Sequence, residues 1–486
     1  MVQAITKDWR NTYPRHFQEE HGFIPLRVEG KIPEDLSGVL YRNGPAIFQN
    51  FEMSYDHLFD GDGAVVGTRI SKGQAEGAVR IVQSLGLQKE RQKGKAIYNG
   101  GGYGTSASSL PRFLWQFLRY DLKNVANTNV FFWQDRLFAL VESCRPTELS
   151  PQTLETIGES DFDKVILQNF TAHPHRVAAR NCTYGFGVCM GRKTYLDVYA
   201  LPDSGKAQRL ISLPLLGPTM IHDFIATEKH LLFFVPPLKV SFPTLFKTRG
   251  NFQESFRFNA DEGTEAIIIP IDDPSRHKRF KVDSFYQWHF ANAWEEGEEI
   301  VVDFCKYPDF KSNQQIRDLY RVWEDSVPVQ SLESPFEGHL WRSRVSMNQS
   351  QVTHEERWSH PCEFPRIHPE MEGQETRYIY LASFSTPEQS QITPADQIAV
   401  VDMKTGHTNT YNFGQHTYPS EPVFVPKPQA QSENDGWILT QVLDVAQQAS
   451  FFAVLDAQRF KDKPLAKIWY EHPLPFSFHG NWIPIP

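Results

Sequence analysis

Short hydrophobic runs separated by turn residues repeat along almost the whole chain. The runs are rich in β-branched and aromatic residues, which suit the pleated surface of a sheet. Dipeptides such as Asp-Gly and Thr-Gly stand between them and are typical of turns. The pattern predicts strands at 136–143, 184–190, 194–201, 230–237, 265–272, 299–307, 377–384, 397–404 and 436–444.

Helical spacing of apolar residues is confined to two segments, 110–125 and 313–324. Because strands do not alternate with long helices, the pattern disfavours a parallel α/β sheet. The 33 prolines and 30 glycines are scattered and mark no linker. We therefore predict one all-β domain over 1–486, a propeller of about seven four-stranded blades, although no WD or kelch signature recurs.

Composition and charge narrow the function classes. The net charge of −9 lacks the basic excess of a nucleic-acid surface, so no nucleic-acid partner is expected. We find no apolar signal-peptide core and no membrane-spanning run, which predicts a cytoplasmic protein, soluble or peripheral on a membrane. No obligate protein partner is evident.

The cysteines are odd in number and scattered, so reduced thiols are expected at Cys144, Cys182, Cys189, Cys305 and Cys362.

Four of the 17 histidines stand in distinctive contexts. They are His173 in FTAHPHR, His222 in MIHDF, His289 in YQWHFANAWEE and His479 in FSFHGNW. Their separation excludes a zinc finger or an H-E-x-x-H helix. On a propeller axis, however, one residue from each of several blades can meet. Such a set suits Fe, Cu, Ni or Zn, and the donor type alone does not choose among them.

Three glutamates strengthen the case for a metal site. Glu142, Glu363 and Glu421 each begin or follow an apolar strand, where an unpaired carboxylate is costly. A metal-bound histidine needs a partner for its other ring nitrogen, and a carboxylate is a common one. The alternative is three surface carboxylates at strand ends.

The run Asp60-Gly61-Asp62-Gly63 is a candidate calcium loop. It lacks the terminal glutamate of such a loop, since Ser71 occupies that position. We interpret the run as a tight turn.

Motifs from end to end resemble those of the carotenoid cleavage oxygenase family, and most closely those of its cyanobacterial apocarotenoid oxygenases. They are LSGVLYRNGPAIF (36–48), HLFDGDGAV (57–65), LKNVANTNVFFWQDRLFALVE (122–142), TAHPH (171–175), IHDF (221–224), WHFANAWEE (288–296), CEFPRIHP (362–369), SEPVFVPKP (420–428) and FHGNW (478–482).

The resemblance implies a seven-bladed β-propeller with one Fe(II) per chain on its axis. A cap of loops, with an apolar helix around 105–125, covers the iron. The four histidines match the family's iron ligands, and the three glutamates match the carboxylates that hold three of them. By the same resemblance His173 has no glutamate partner, and Thr128 lies near an open coordination position. Many relatives carry a second histidine where this chain has Phe290, and the spacing to Asn292 keeps His289 as the ligand.

The implied reaction is cleavage of a conjugated C=C bond of a carotenoid or apocarotenoid by O2, giving aldehyde or ketone products. A polyene carries no charge with which the protein could form an ion pair, so the shape of an apolar tunnel must determine which C=C bond is cleaved. Phe59, Trp288 and Phe364 adjoin tunnel-facing motifs and are candidate substrate contacts, with plain core packing as the alternative. Val141 stands where some cyanobacterial relatives carry Trp. The smaller valine would widen the tunnel.

Two apolar stretches flanked by basic residues, 110–118 and 235–246, suit docking on an anionic membrane. The basic residues beside the first are Arg112, Arg119 and Lys123. The alternative is that these stretches pack against the propeller.

Three rival functions remain open from the sequence. The same scaffold could cleave stilbene-type phenolics, although polar groups for the phenol hydroxyls are not identifiable. A non-catalytic propeller is a second rival. A zinc hydrolase is the third, and four protein ligands disfavour it because catalytic zinc normally has three.

Overall fold

The computed structural model describes residues 8–191, 193–324, 336–391 and 393–485. Within these ranges seven antiparallel sheets of four or more strands surround one axis as blades. Innermost strands of neighbouring blades contact one another, for example Ile225–Ala226 with Tyr286–Glu296 and His479–Pro484 with Asn129–Trp133. The prediction of an all-β, seven-bladed β-propeller is therefore confirmed.

Apart from one strand at each end of the chain, the strands fall into blades in chain order. The first blade contains His21–Pro25, Gly38–Ile47, Asp62–Ser71, Gln74–Ile81 and His479–Pro484. The second contains Asn129–Trp133, Arg136–Leu140, Thr147–Leu149 and Thr156–Glu159. The third contains His175–Val177, Cys182–Cys189, Thr194–Pro202 and Gln208–Leu215. The fourth contains Ile225–Ala226, His230–Val235, Thr264–Pro270 and Lys278–Val282.

Apart from the strand Arg27–Gly30, the remaining blades come from the C-terminal part of the chain. The fifth contains Tyr286–Glu296, Glu299–Tyr307, His339–Ser346 and Gln351–Trp358. The sixth contains Cys362–Arg366, Tyr378–Ser383, Gln397–Asp402 and Thr408–Tyr411. The seventh contains Arg27–Gly30, Thr417–Pro419, Val423–Pro426, Gly436–Asp444, Ala449–Asp456 and Ala466–Tyr470. Two short ribbons pair Gln49–Asn50 with Met53–Ser54 and Leu238–Val240 with Phe256–Phe258.

Strand exchange between the two ends of the chain closes the ring. The C-terminal strand His479–Pro484 is the innermost strand of the first blade and pairs with Gly38–Ile47. In return, the N-terminal strand Arg27–Gly30 is the outer strand of the seventh blade and pairs with Ala466–Tyr470. The first and seventh blades are thus each completed by the opposite end of the chain.

Six α-helices lie among the strands in the part of the chain that the structure describes. They are α1 (Trp9–Thr12), α2 (Leu85–Lys93), α3 (Leu110–Arg119), α4 (Phe242–Lys247), α5 (Phe252–Ser255) and α6 (Lys311–Trp323). The helix predicted at 313–324 corresponds to α6. Helix α2 was not predicted, because most of its residues are polar and it buries only Gly86, Leu87 and Glu90.

The helix predicted over 110–125 is too long at its C-terminal end. Ser109 caps its first turn, but Tyr120 adopts a left-handed conformation with φ 51° and ends it. The chain then extends and carries Lys123 into the core, where its Nζ lies 2.6 Å from Asp62 Oδ2 and 2.9 Å from Glu90 Oε2. Since Lys123 is fully buried, it cannot flank a membrane-facing surface as the sequence suggested.

The Asp60–Gly63 run is only partly a turn. Leu58–Asp60 forms one 3₁₀ turn, and Asp62 already begins a strand. Asp60 is buried and accepts hydrogen bonds from the backbone N–H groups of Tyr103, Gly104 and Thr105 and from the Thr105 hydroxyl. Asp60 and Asp62 thus bond to protein groups, Asp60 to the loop at 103–105 and Asp62 to Lys123.

Among the described residues, no helix has the length and apolar character needed to cross a bilayer. The five cysteines are all free thiols.

Candidate metal centre and cavity

The four histidines singled out in the sequence converge on the propeller axis from four different blades. His173 and His222 lie two and three residues before His175 and Ile225, with which the innermost strands of the third and fourth blades begin. His289 lies within the innermost strand of the fifth, and His479 begins the closing strand of the first. All four are buried.

Their rings form one cluster. Ligand atoms of His173, His222 and His289 lie within 4.8 Å of one another, and the Nε2 atoms of His222 and His289 are 3.1 Å apart. The His479 ring stands beside this group, with its centroid 4.6 Å from that of His173 and 4.7 Å from that of His289. The structure therefore brings together all four residues.

The three glutamates come from the blades that supply no histidine. Glu363 Oε2 lies 2.5 Å from His289 Nδ1, and Glu421 Oε1 lies 2.9 Å from His479 Nδ1. Glu142 Oε1 is 2.5 Å from His222 Nδ1, although the angles of this contact are not those of an aligned hydrogen bond. Each of these Nδ1 atoms is directed away from the cluster, which leaves Nε2 to face it.

His173 differs from the other three, as the resemblance implied. Its backbone N–H donates to Thr171 Oγ1 at 2.9 Å, but its buried Nε2 has no hydrogen-bond partner within the described structure. A buried polar atom without a partner is costly and calls for an explanation. A metal ion at the cluster would supply that partner, so the residues present fit such an ion.

Burial and neighbouring charges set the protonation of these rings. Burial lowers the pKa of His479 to about 3, and Glu421 only partly opposes this effect. The pKa of His173 also falls well below its usual value, first through burial and then through the other histidines. For His289, burial is the largest single effect and favours the neutral ring, but the charge and hydrogen bond of Glu363 together with the charges of Asp223 and Glu421 raise the pKa. His173 and His479 thus present neutral imidazoles, the form that binds metals.

The glutamates have buried partners of their own that sequence reasoning missed. Arg42 Nη1 lies 2.7 Å from Glu421 Oε2, and both side chains are only 1% exposed. The guanidinium also donates to Ser477 Oγ at 2.8 Å and to the Phe478 carbonyl at 2.9 Å. Tyr307 Oη donates to Glu363 Oε1 at 2.8 Å. The motif YRNGP contains Arg42, but only the fold shows that it reaches a glutamate 379 positions away.

A second set of missed residues lies beside the cluster. His175 is held between Asp223 and Glu372, one at each ring nitrogen. Burial opposes its charged form, but these two carboxylates raise its pKa to about 10. The sequence offered one signal, the second histidine of TAHPH.

A cavity of about 310 Å³ opens onto the cluster. The residues predicted to contact substrate, Phe59, Val141, Trp288 and Phe364, all line it. Thr128 lines it too, and its carbonyl accepts a hydrogen bond from the His479 N–H at 3.3 Å. Both the blades and the segments between their strands contribute walls, the latter through residues such as Tyr103, Phe256, Ile316 and Leu319.

Phe364 owes its position to an unusual backbone. Its φ of 55° is left-handed, a rare conformation for a bulky residue, and the strand is irregular there. Its ring lies 5.2 Å from that of His289 and 5.1 Å from that of His479. The bend thus places an apolar ring against two of the four imidazoles.

An exposed apolar surface lies on α3 and α4. Its exposed members are Leu110, Trp115, Phe117, Leu118, Phe242 and Phe246. Phe113, by contrast, is buried and packs 5.5 Å from Phe246, so it joins the two helices instead of facing solvent. Residues 235–238 of the second predicted stretch are also buried.

Comparison with known proteins gives matches over the whole chain. The family model "RPE65: Retinal pigment epithelial membrane protein" matches residues 14–484. Apocarotenoid-15,15'-oxygenase of Synechocystis sp. is 31% identical over 98% of this chain and 96% of its own length. Carotenoid 9,10(9',10')-cleavage dioxygenase 1 of Arabidopsis thaliana is 27% identical over 94% of this chain and 86% of its own. The crystal structure of cobalt-substituted Synechocystis ACO superposes with a TM-score of 0.87 at 30% identity, covering 99% of each chain.

Proposed function

Because the chain belongs to the RPE65/carotenoid cleavage oxygenase family, we propose that it is a non-haem Fe(II)-dependent dioxygenase. It cleaves a conjugated C=C bond of a carotenoid or apocarotenoid with O2. Both oxygen atoms enter the two carbonyl products, so the reaction needs no external reductant. The observation that carries the proposal is the buried four-histidine cluster at the end of a largely apolar cavity.

The proposed metal ligands are His173, His222, His289 and His479, holding one Fe(2+) per chain. The ferrous ion supplies the activation of O2, chemistry that no amino-acid side chain offers. Neutral imidazoles suit iron, and the unpartnered Nε2 of His173 supports the assignment.

Glu142, Glu363 and Glu421 orient three of the rings through Nδ1. Carboxylates in this position fix the tautomer and make the ring a stronger donor. Arg42 in turn fixes Glu421. Thr128, which lines the cavity beside His479, is the proposed neighbour of the open coordination position.

Cavity residues choose the substrate and exclude water. Phe59, Val141, Trp288 and Phe364 form apolar walls near the histidines, so a polyene binds there by shape. The relatives named above are carotenoid and apocarotenoid oxygenases, which favours this substrate class over stilbenes.

The apolar surface of α3 and α4 is the proposed site of peripheral membrane contact, which would give access to a membrane-dissolved substrate. Six large apolar side chains are exposed there. Arg119 and Lys247 lie at the ends of the two helices and are exposed beside them. Apolar groups next to basic ones suit an anionic lipid surface.

Metal analysis and product identification test the function together. Anaerobically purified protein is expected to hold one iron, and incubation with a β-apocarotenal or β-carotene under ¹⁸O2 should give two labelled carbonyl products. His289→Ala should lose both iron and activity. His407→Ala, a change at an exposed histidine outside the cluster, should lose neither.

Three outcomes contradict the proposal in different ways. Less than about half an equivalent of iron would favour a non-catalytic propeller. Zinc in its place, with hydrolysis of an ester, would favour a hydrolase. Labelled products from a stilbene but from neither carotenoid would change the substrate class.

A further inference from the structure

One buried carboxylate links the segments that carry three of the four clustered histidines. Asp223 directly follows His222 and is 2% exposed. Its Oδ2 accepts a hydrogen bond from the backbone N–H of Phe290 at 2.9 Å, next to His289. Its Oδ1 contacts His175 Nε2 at 3.0 Å, two residues beyond His173. The third, fourth and fifth blades are thus joined through this side chain.

The strand that carries His289 is irregular at the point where Asp223 meets it. Within Tyr286–Glu296 the pairing register shifts on both sides of Phe290. Bulges of this kind re-aim side chains and occur next to active sites. Asp223 bonds to the strand between these two irregularities, and so fixes the distorted backbone immediately beside a candidate ligand.

Asp223 is itself held firmly. Its Oδ1 also accepts the N–H of Phe224 at 2.8 Å. The His175 ring that donates to it is bonded on its far side to Glu372 and lies edge-on to the Phe224 ring, with centroids 5.1 Å apart. A carboxylate with contacts on both oxygens cannot rotate without losing several of them at once.

We infer that Asp223 is a positioning residue of the metal centre, which sets the spacing of His173, His222 and His289 by joining the segments that carry them. This inference rests on the proposed function, because it assumes that the cluster holds a metal. Asp223 differs from the three glutamates because its bonds go to neighbouring backbone groups and to His175. It therefore acts on the spacing of the ligands, whereas the glutamates act on the orientation of each ring.

Asp223→Asn tests the role, because an amide has one acceptor oxygen where the carboxylate has two. Whichever way the amide turns, the N–H of either Phe224 or Phe290 faces an NH2 group and loses its partner. A purely structural role predicts lower stability alone. A positioning role predicts in addition that Fe2+ affinity falls about ten-fold and that the visible spectrum of the Co2+-loaded protein changes.

Asp303→Asn is the matched control. Asp303 is also a fully buried aspartate in the fifth blade, and it pairs with Arg342 through two contacts of 2.8 Å. It bonds within its own blade, so its loss should lower stability and leave Fe2+ affinity and the Co2+ spectrum unchanged. Anaerobic titration of metal-free protein with Fe2+, and separately with Co2+, measures both quantities.

Wild-type Fe2+ affinity and an unaltered Co2+ spectrum in Asp223→Asn would overturn the inference and leave the proposed function standing. If that variant does not fold, His175→Phe replaces it. This change keeps an aromatic ring and both backbone bonds to Asp223, from Phe224 and Phe290, but removes the bond from the His175 ring to Oδ1. A smaller loss of Fe2+ affinity supports the role, and no loss overturns it. If wild-type protein binds neither metal, the proposed function itself fails.

Discussion

We expect the size of residue 141 to control the width of the cavity next to the histidines. Val141 lines the cavity directly before Glu142. We expect Val141→Trp to lower kcat/KM for β-carotene at least ten-fold relative to a β-apocarotenal, a difference of about 1.4 kcal/mol. The reason is that β-carotene carries a bulky ring at both ends, whereas the apocarotenal has one slim end. Competitive incubation of the two substrates measures the ratio.

Val141→Ile is the control for this change, and its substrate ratio should match that of the wild type. Iron content should be the same in all three proteins. An unchanged ratio in Val141→Trp would remove Val141 from the residues that select substrate.

His57 is a buried residue whose protonation opposes folding. Its ring is enclosed between Phe59 and Tyr103, and Nδ1 accepts the Phe59 N–H at 3.0 Å. Burial, with a smaller contribution from Arg317, lowers its pKa from 6.5 to about 3. The unfolded chain therefore binds a proton at His57 more readily than the folded chain does. The contribution of the neutral His57 ring to the free energy of unfolding is complete above pH 6.5 and is lost as the pH falls towards 3.

His57→Asn isolates this effect, since the amide oxygen can still accept the Phe59 N–H. Between pH 7.5 and pH 5.0 the wild type should lose about 2 kcal/mol more unfolding free energy than the variant. Urea titrations at the two pH values provide the measurement. Equal losses in the two proteins would show that folding does not lower the pKa of His57.

At the scale of elements, α3 and α4 join through buried aromatic residues and expose others. We expect Trp115→Glu/Leu118→Glu to abolish flotation with anionic vesicles, because both side chains are exposed and leave the Phe113 packing intact. Ile157→Glu places the same charge at an exposed residue on the outer strand of the second blade and should float like the wild type. Absence of flotation by the wild type would refute docking.

The strands were predictable because hydrophobic runs and turn residues are local properties. All nine predicted runs coincide with observed strands, to within a few residues at their ends. The end of α3 was not predictable, because Tyr120 is not a helix-stop residue such as glycine. Beyond the helix, Lys123 pairs with two buried carboxylates that are distant in sequence. Helix α2 had signals at both ends, Ser84 as cap and Gly94 in a left-handed conformation, but no apolar stripe.

The residues of the histidine cluster were predictable, because the motifs around the histidines and glutamates resemble those of a known family. The contacts that hold these histidines and glutamates in place were not predictable. Arg42, Tyr307 and Asp223 reach their partners across tens to hundreds of residues of sequence. Pairing over such distances depends on the closed ring, which no local pattern reports.

At the scale of the whole molecule, ring closure and site assembly share one strand. Gly480 follows His479, and a Cβ added there would lie 2.2 Å from the Tyr41 carbonyl oxygen. We expect Gly480→Val to lower both the unfolding midpoint and the iron content, because the closing strand cannot then pair with Gly38–Ile47 undisturbed. Gly217→Val adds its side chain to open space and should change neither. Thermal unfolding and metal analysis of the three proteins make the test.

This exchange of strands also supports the proposal that 1–486 is one domain. Neither the first nor the seventh blade is complete without the opposite end of the chain. A cut between blades would therefore leave at least one sheet short of a strand.

The order in which the blades supply histidines and glutamates limits which rearrangements of the blades the site can tolerate. Each blade supplies one of the seven clustered side chains, a histidine from the first, third, fourth and fifth and a glutamate from the others. Blades that look alike as sheets are thus not interchangeable parts, and deleting or duplicating one would shift every later residue out of phase with its partner. A circular permutant opened in a loop between blades keeps that phase, and should assemble the same centre from new chain ends.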